Sequence, residues 1–142
     1  MAEASSGPRA RARPLSPHLQ IYRPQINMVM SIWHRITGAA LYFGSLLLAW
    51  WLFAAATSPA YFDFVNALFA TWPGMLILVG YTWALIHHML GGLRHFIWDT
   101  GQGFEIATVN LLSWATIVLS VLMTAGLWYF IAVEKGWVTS WA

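Results

Sequence analysis

The sequence predicts an all-α membrane protein of three transmembrane helices, with its N-terminus in the cytoplasm. Three observations predict this. Only 8% of the 142 residues are charged and 59% are hydrophobic, whereas a soluble domain carries roughly a quarter charged residues. The charges are also segregated: no Asp, Glu, Lys or Arg occurs between Arg35 and Asp63, between Asp63 and Arg94, or between Glu105 and Glu134. Each gap exceeds the ~20 residues an α-helix needs to cross a bilayer. Finally, ten tryptophans in so short a chain fit a protein that meets the membrane interface, where the amphipathic indole is favoured. The lipid bilayer is therefore the first partner the sequence implies. A pI near 9.3 comes from basic residues flanking apolar spans, so they read as topology signals and not as a nucleic-acid surface.

The spans are expected at about 29–56, 72–98 and 107–133, between an N-terminal segment (1–28) and a short tail (134–142). Thr57-Ser58-Pro59 ends the first helix. Thr71-Trp72-Pro73 starts the second, with a capping hydroxyl followed by an early proline. Residues 60–70 between them suit a short interfacial helix. Two glycines interrupt the chain between Thr100 and Phe104, and Gly136 follows the third span. If the chain crosses three times, Arg9, Arg11, Arg13, Arg23, Arg35 and Arg94 share one side and only Lys135 lies on the other. The positive-inside rule then puts the N-terminal segment and the 99–106 loop in the cytoplasm, and the tail in the periplasm. The arginine-rich start has no apolar h-region, so no secretory signal is read there.

Ionisable groups near a span are costly, which directs attention to His34, Arg35, His87, His88, Arg94 and His95. Ser31, His34, Arg35 and Gly38 follow i, i+3, i+4, i+7 spacing and share one face of the first helix. His88, Gly91, Gly92 and His95 repeat the pattern on the second, with His87 turned ~100° away. Arg35, Arg94 and His95 are explained either by snorkelling at the cytoplasmic boundary or by a site. His88 lies six residues inside Arg94, or ~9 Å deeper. There it can hydrogen-bond a neighbouring helix or ligate a metal. Ala84 and Gly92, a turn to either side, leave a bare strip that can accommodate a flat macrocycle, although small residues also serve ordinary helix packing. The absence of cysteine excludes thiolate-bound zinc or iron–sulfur clusters and covalent c-type haem. A four-histidine di-haem arrangement lacks ligands, since only His34, His87 and His88 lie within or near spans. One haem with one ligand from this chain is the most the sequence supports easily.

The segment His88-Met-Leu-Gly-Gly-Leu-Arg94-His95-Phe-Ile-Trp-Asp99 closely resembles the signature of the cytochrome b membrane-anchor family of succinate dehydrogenase, H-x-x-x-G-x-R-H followed by an aromatic or Met and then Asp. A second family motif precedes it: Arg13-Pro14-Leu15-Ser16-Pro17-His18, then Ser31-Ile-Trp-His34-Arg35-Ile-Thr37-Gly38. The resemblance covers residues 13 to about 133. It implies a helical bundle formed with a companion anchor subunit, and haem b shared with it, His88 supplying one axial ligand to the iron and the companion the other. It also implies that Ser31 and Arg35 line a ubiquinone site near the iron–sulfur subunit, and that His34 and Arg35 lie near the haem propionates. Arg94 and His95 are expected near propionates, and Asp99 near the quinone or its proton path.

By that resemblance the chain is expected to serve complex II of a bacterial inner membrane, where electrons from succinate pass through a flavoprotein subunit and an iron–sulfur subunit to ubiquinone. This chain itself has no flavin or cluster motif. An arginine-rich start also suits a mitochondrial transit peptide, but the residues before the first motif are few for one. A quinol-fumarate reductase anchor and a haem-free scaffold whose histidines only pack helices are the competing readings.

Overall fold

The computed structural model describes residues 18–137. Arg9, Arg11, Arg13, the Pro14–Pro17 motif and the end of the expected tail lie outside the described residues. A single turn, α1 (His18–Ile21), is followed by α2 (Ile26–Thr57), α3 (Pro59–Phe69), α4 (Trp72–Asp99) and α5 (Ile106–Glu134). Among the described residues, α2, α4 and α5 are long and apolar enough to cross a membrane. α2 has 32 residues and runs about 48 Å, well beyond a ~30 Å hydrocarbon core. One end of it must therefore stand in the interface, or the helix must tilt.

The chain reversals follow from local chemistry. Ser58 leaves the helical conformation, and its side chain accepts the Tyr61 N–H at 3.2 Å, with Pro59 in the first turn of α3. An extended cap followed by a residue whose missing N–H is not needed starts a new helix at once. Thr71 repeats the device, accepting from the Gly74 N–H at 3.3 Å ahead of Pro73. α5 ends where Gly136 adopts φ +69°, the Trp137 N–H reaching Ala132 O and the Gly136 N–H reaching Val133 O. That pairing satisfies carbonyls a helix end otherwise leaves open.

Packing inverts the order of a water-soluble protein. Met30, Ala54, Val65 and Ala84 are the apolar residues fully enclosed among those described, whereas Thr37, His87, Arg94, Ser113, Thr116, Ser120 and Thr124 are enclosed although polar. Large apolar side chains such as Phe43, Leu46, Phe53, Leu111, Leu122 and Phe130 point outward. Lipid tails are as apolar as leucine, so burial of leucine does not hold such helices together; small side chains that let backbones approach do. α4 is the central element, packing on both α2 and α5. On α5 the seam is Ser113, Thr116, Ser120 and Thr124, each hydroxyl bonded back to its own helix within 2.9 Å. On α2 the seam is Gly44, over which the Tyr81 ring lies where a Cβ would stand.

Candidate functional site

Two polar clusters project from different faces of α4, about 100° apart. The first faces α2. His34 and His88 stack almost in parallel, with ring centroids 3.9 Å apart and planes 5° from coincident. His95 completes the group 5.3 Å from His34. The helices come this close because two positions carry no side chain. A Cβ on Gly91 would stand 2.5 Å from His34 Nδ1, and one on Gly38 would stand 3.0 Å from His88 Cε1. The motif faces expected on α2 and α4 thus face each other, with the glycine of each helix under the histidine of the other.

The hydrogen bonds of His88 fix its chemistry. Its Nδ1 lies 3.1 Å from the carbonyl oxygen of His34 and 3.3 Å from Thr37 Oγ1. A carbonyl can only accept, so Nδ1 carries a proton, and in the neutral ring the lone pair then sits on Nε2. Nε2 makes no hydrogen bond among the described residues. A neutral imidazole held through Nδ1–H is the form that donates to a metal through Nε2. Gly92 looks into open space, with nothing within 4 Å of where its Cβ would be. Ala84, by contrast, is buried, so the bare strip expected on both sides of His88 is open on the Gly92 side alone.

The second cluster faces α5. His87 is only 2% exposed, and its Nδ1 lies 3.2 Å from Ser120 Oγ, while Nε2 is enclosed without a partner. Two turns further along, Arg94 is 4% exposed, donates from Nη1 to Ser113 Oγ at 3.1 Å and lies 5.0 Å over the Trp98 ring. Snorkelling does not describe this arginine; its guanidinium is turned into the bundle. His87 and Arg94 are seven residues apart, as are Ser113 and Ser120, so the antiparallel helices match histidine to serine and arginine to serine. That equal spacing is a readable signal, yet the two serines are absent from the site residues the sequence singles out. Thr37 is absent from them too, although it stands one turn from His34.

The remaining expected residues lie nearer the boundary. Ser31 and Arg35 are exposed on α2. Ser31 helps line a cavity of about 470 Å³ with Tyr22, Pro24, Asn27, Met28 and Ile32, and the Tyr22 hydroxyl donates to Met28 Sδ at its edge. Arg35 is one turn further along the same face, outside that lining. Asp99 is exposed at the end of α4. Among the described residues no group of three or more His, Asp or Glu side chains is arranged to hold a bare metal ion.

The profile of the family described as "Succinate dehydrogenase/Fumarate reductase transmembrane subunit" matches residues 9–127. The chain belongs to this family. It is 48% identical over 111 residues to the succinate dehydrogenase cytochrome b556 subunit of Paracoccus denitrificans, covering 78% of this chain and 85% of the relative. Identity to the cytochrome b556 subunit of Rickettsia felis is 43% over 116 residues, covering 82% and 90%. The mitochondrial cytochrome b560 subunit of Mus musculus matches at 38% over 118 residues, covering 81% of this chain and 69% of the relative. Family membership makes the chain a membrane subunit of an oxidoreductase complex, and the three apolar helices are the part of that complex resident in the bilayer.

Proposed function

We propose that this chain is the haem b-binding anchor of a bacterial succinate dehydrogenase in the cytoplasmic membrane, and that it helps form the site where ubiquinone is reduced. The observation that carries the haem reading is the contact of His88 Nδ1 with the His34 carbonyl, which leaves Nε2 free of hydrogen bonds. Gly92, one turn along the same face of α4, leaves open space. His87, the competing ligand, is enclosed against α5. Haem b, when bound, would supply one-electron redox chemistry; in this chain His88 Nε2 would hold it, and a histidine of a companion anchor subunit would hold it from the other side. His34 and His95 line the same face and suit the propionates. Arg94, committed to Ser113, is better assigned to holding α5 than to a propionate.

Ubiquinone reduction adds two electrons and two protons to the ring oxygens. Ser31 can hydrogen-bond a quinone carbonyl from the wall of its cavity. Arg35, a turn away, can stabilise the negative charge that builds on that oxygen as electrons arrive from an iron–sulfur subunit. Asp99 at the end of α4 suits the entry of protons on the same side. The relatives quoted above are named for succinate dehydrogenase, which supports oxidation of succinate over reduction of fumarate as the working direction. A reduced-minus-oxidised spectrum of the purified complex, with succinate as reductant, is expected to show a b-type haem band. A complex that reduces quinone with no such band would leave the haem-free scaffold reading in its place.

A further inference from the structure

We propose that Thr37 is a positioning residue for the haem ligand: its hydroxyl is the second acceptor that locks the proton of His88 on Nδ1 and sets the plane of the ring. The inference rests on the reading of His88 as the axial ligand. Thr37 is 1% exposed and faces α4 from within α2. Its Oγ1 lies 2.9 Å from Trp33 O and 3.0 Å from His34 O. A hydroxyl has one proton, and both neighbours are carbonyls that can only accept, so the proton of Thr37 is spent within its own helix. What the hydroxyl presents to His88, 3.3 Å away, is a lone pair. The Nδ1–H of His88 is therefore shared between two acceptors, the His34 carbonyl and Thr37 Oγ1.

Two acceptors do what one cannot. A single hydrogen bond leaves the imidazole free to pivot about it, whereas two acceptors from adjacent turns fix the ring plane. Gly38, the next residue, lies beside the Cε1 edge, where a Cβ would come to 3.0 Å. The turn 34–38 is thus a seat made of a carbonyl, a hydroxyl and a bare Cα, all from a helix that carries no ligand itself. Hydrogen bonds accepted from the outer nitrogen of a ligating histidine raise its basicity and stabilise the oxidised metal. Weakening that hold should favour ferrous haem.

The experiment uses the whole complex purified with Thr37→Val and Thr37→Ser, read by redox titration of the b-type band and by the low-spin electron paramagnetic resonance spectrum. Valine keeps the shape of threonine and loses the hydroxyl; serine keeps the hydroxyl and loses the methyl. A hydroxyl that positions the ring predicts an unchanged midpoint in Thr37→Ser. In Thr37→Val it predicts a positive shift, with the ferrous-to-ferric ratio at fixed potential rising by severalfold up to about tenfold, together with displaced g-values. The reverse pattern, normal valine and altered serine, is that of a packing residue and would overturn the proposal, as would an unchanged potential and spectrum in both. If Thr37→Val does not assemble, Thr37→Cys against Thr37→Ser makes the same comparison, because sulfur is a poor acceptor of similar size; equal potentials and g-values in that pair overturn it equally. Failure of the underlying reading shows separately: a low-spin signal that survives in His88→Ala removes the ligand assignment whatever the Thr37 variants do.

Discussion

Ser31 and Arg35 occupy the same face of one helix but differ in setting, and that difference orders their expected effects. Ser31 is in the wall of a cavity, and on the proposed reading its hydroxyl would be in reach of a bound quinone. Loss of one neutral hydrogen bond worth about 0.5–1.5 kcal/mol should raise the KM for ubiquinone in Ser31→Ala roughly 2- to 12-fold. Succinate oxidation by an artificial dye, which uses the other subunits, should be nearly unaffected. Unaltered quinone kinetics in this variant would remove the site from the start of α2. Arg35→Ala should act more on kcat, since its charge matters as the ring becomes anionic. The roles of the adjacent histidines are set at the same scale. A one-residue step on a helix turns a side chain by ~100°, and that alone sends His88 to α2 and His87 to α5.

At the scale of elements, the spacing of charges in the sequence carried most of the fold. Charge-free gaps located α2, α4 and α5, and the hydroxyl–proline start at Thr71 located the beginning of α4, because each rests on local chemistry that a single segment contains; Thr57-Ser58-Pro59, legible as the end of α2, also starts α3. The facing of Gly38 to His88 and of Gly91 to His34 was less legible. Periodicity shows which residues share a face, and it is silent on which face meets which. Arg94 illustrates the cost: position alone suggested a snorkelling cation, and only the approach of α5 shows a guanidinium held by Ser113. Ser120→Val should leave His87 with neither ring nitrogen bonded. In a membrane protein that costs about 0.6–1.7 kcal/mol, seen as a lower temperature for thermal loss of quinone reductase activity in detergent. The same variant should keep the wild-type haem spectrum, because Ser120 packs on the His87 face of α4, about 100° from His88. A displaced haem spectrum with unchanged thermal stability would contradict this division of α4 into two faces.

The whole molecule is a bundle with its polar atoms inside and its bulk apolar surface outside, and it is incomplete as a redox site. On the proposed reading, His88 Nε2 would be one iron ligand and a companion anchor subunit would supply the other, so the redox site would be completed only in the complex. One haem with one ligand from this chain is the most the sequence supports easily, and the structure distinguishes the settings of the two neighbouring histidines. His88 engages α2 through Nδ1 and leaves Nε2 without a hydrogen bond, whereas His87 bonds Ser120 through Nδ1 and has Nε2 enclosed between α4 and α5. The most direct test is to replace His87 and His88 separately by leucine and record the low-spin signal of the assembled complex by electron paramagnetic resonance. The account predicts that the bis-histidine signal is lost or converted in His88→Leu and retained in His87→Leu; retention in His88→Leu with loss in His87→Leu, or retention in both, would contradict it.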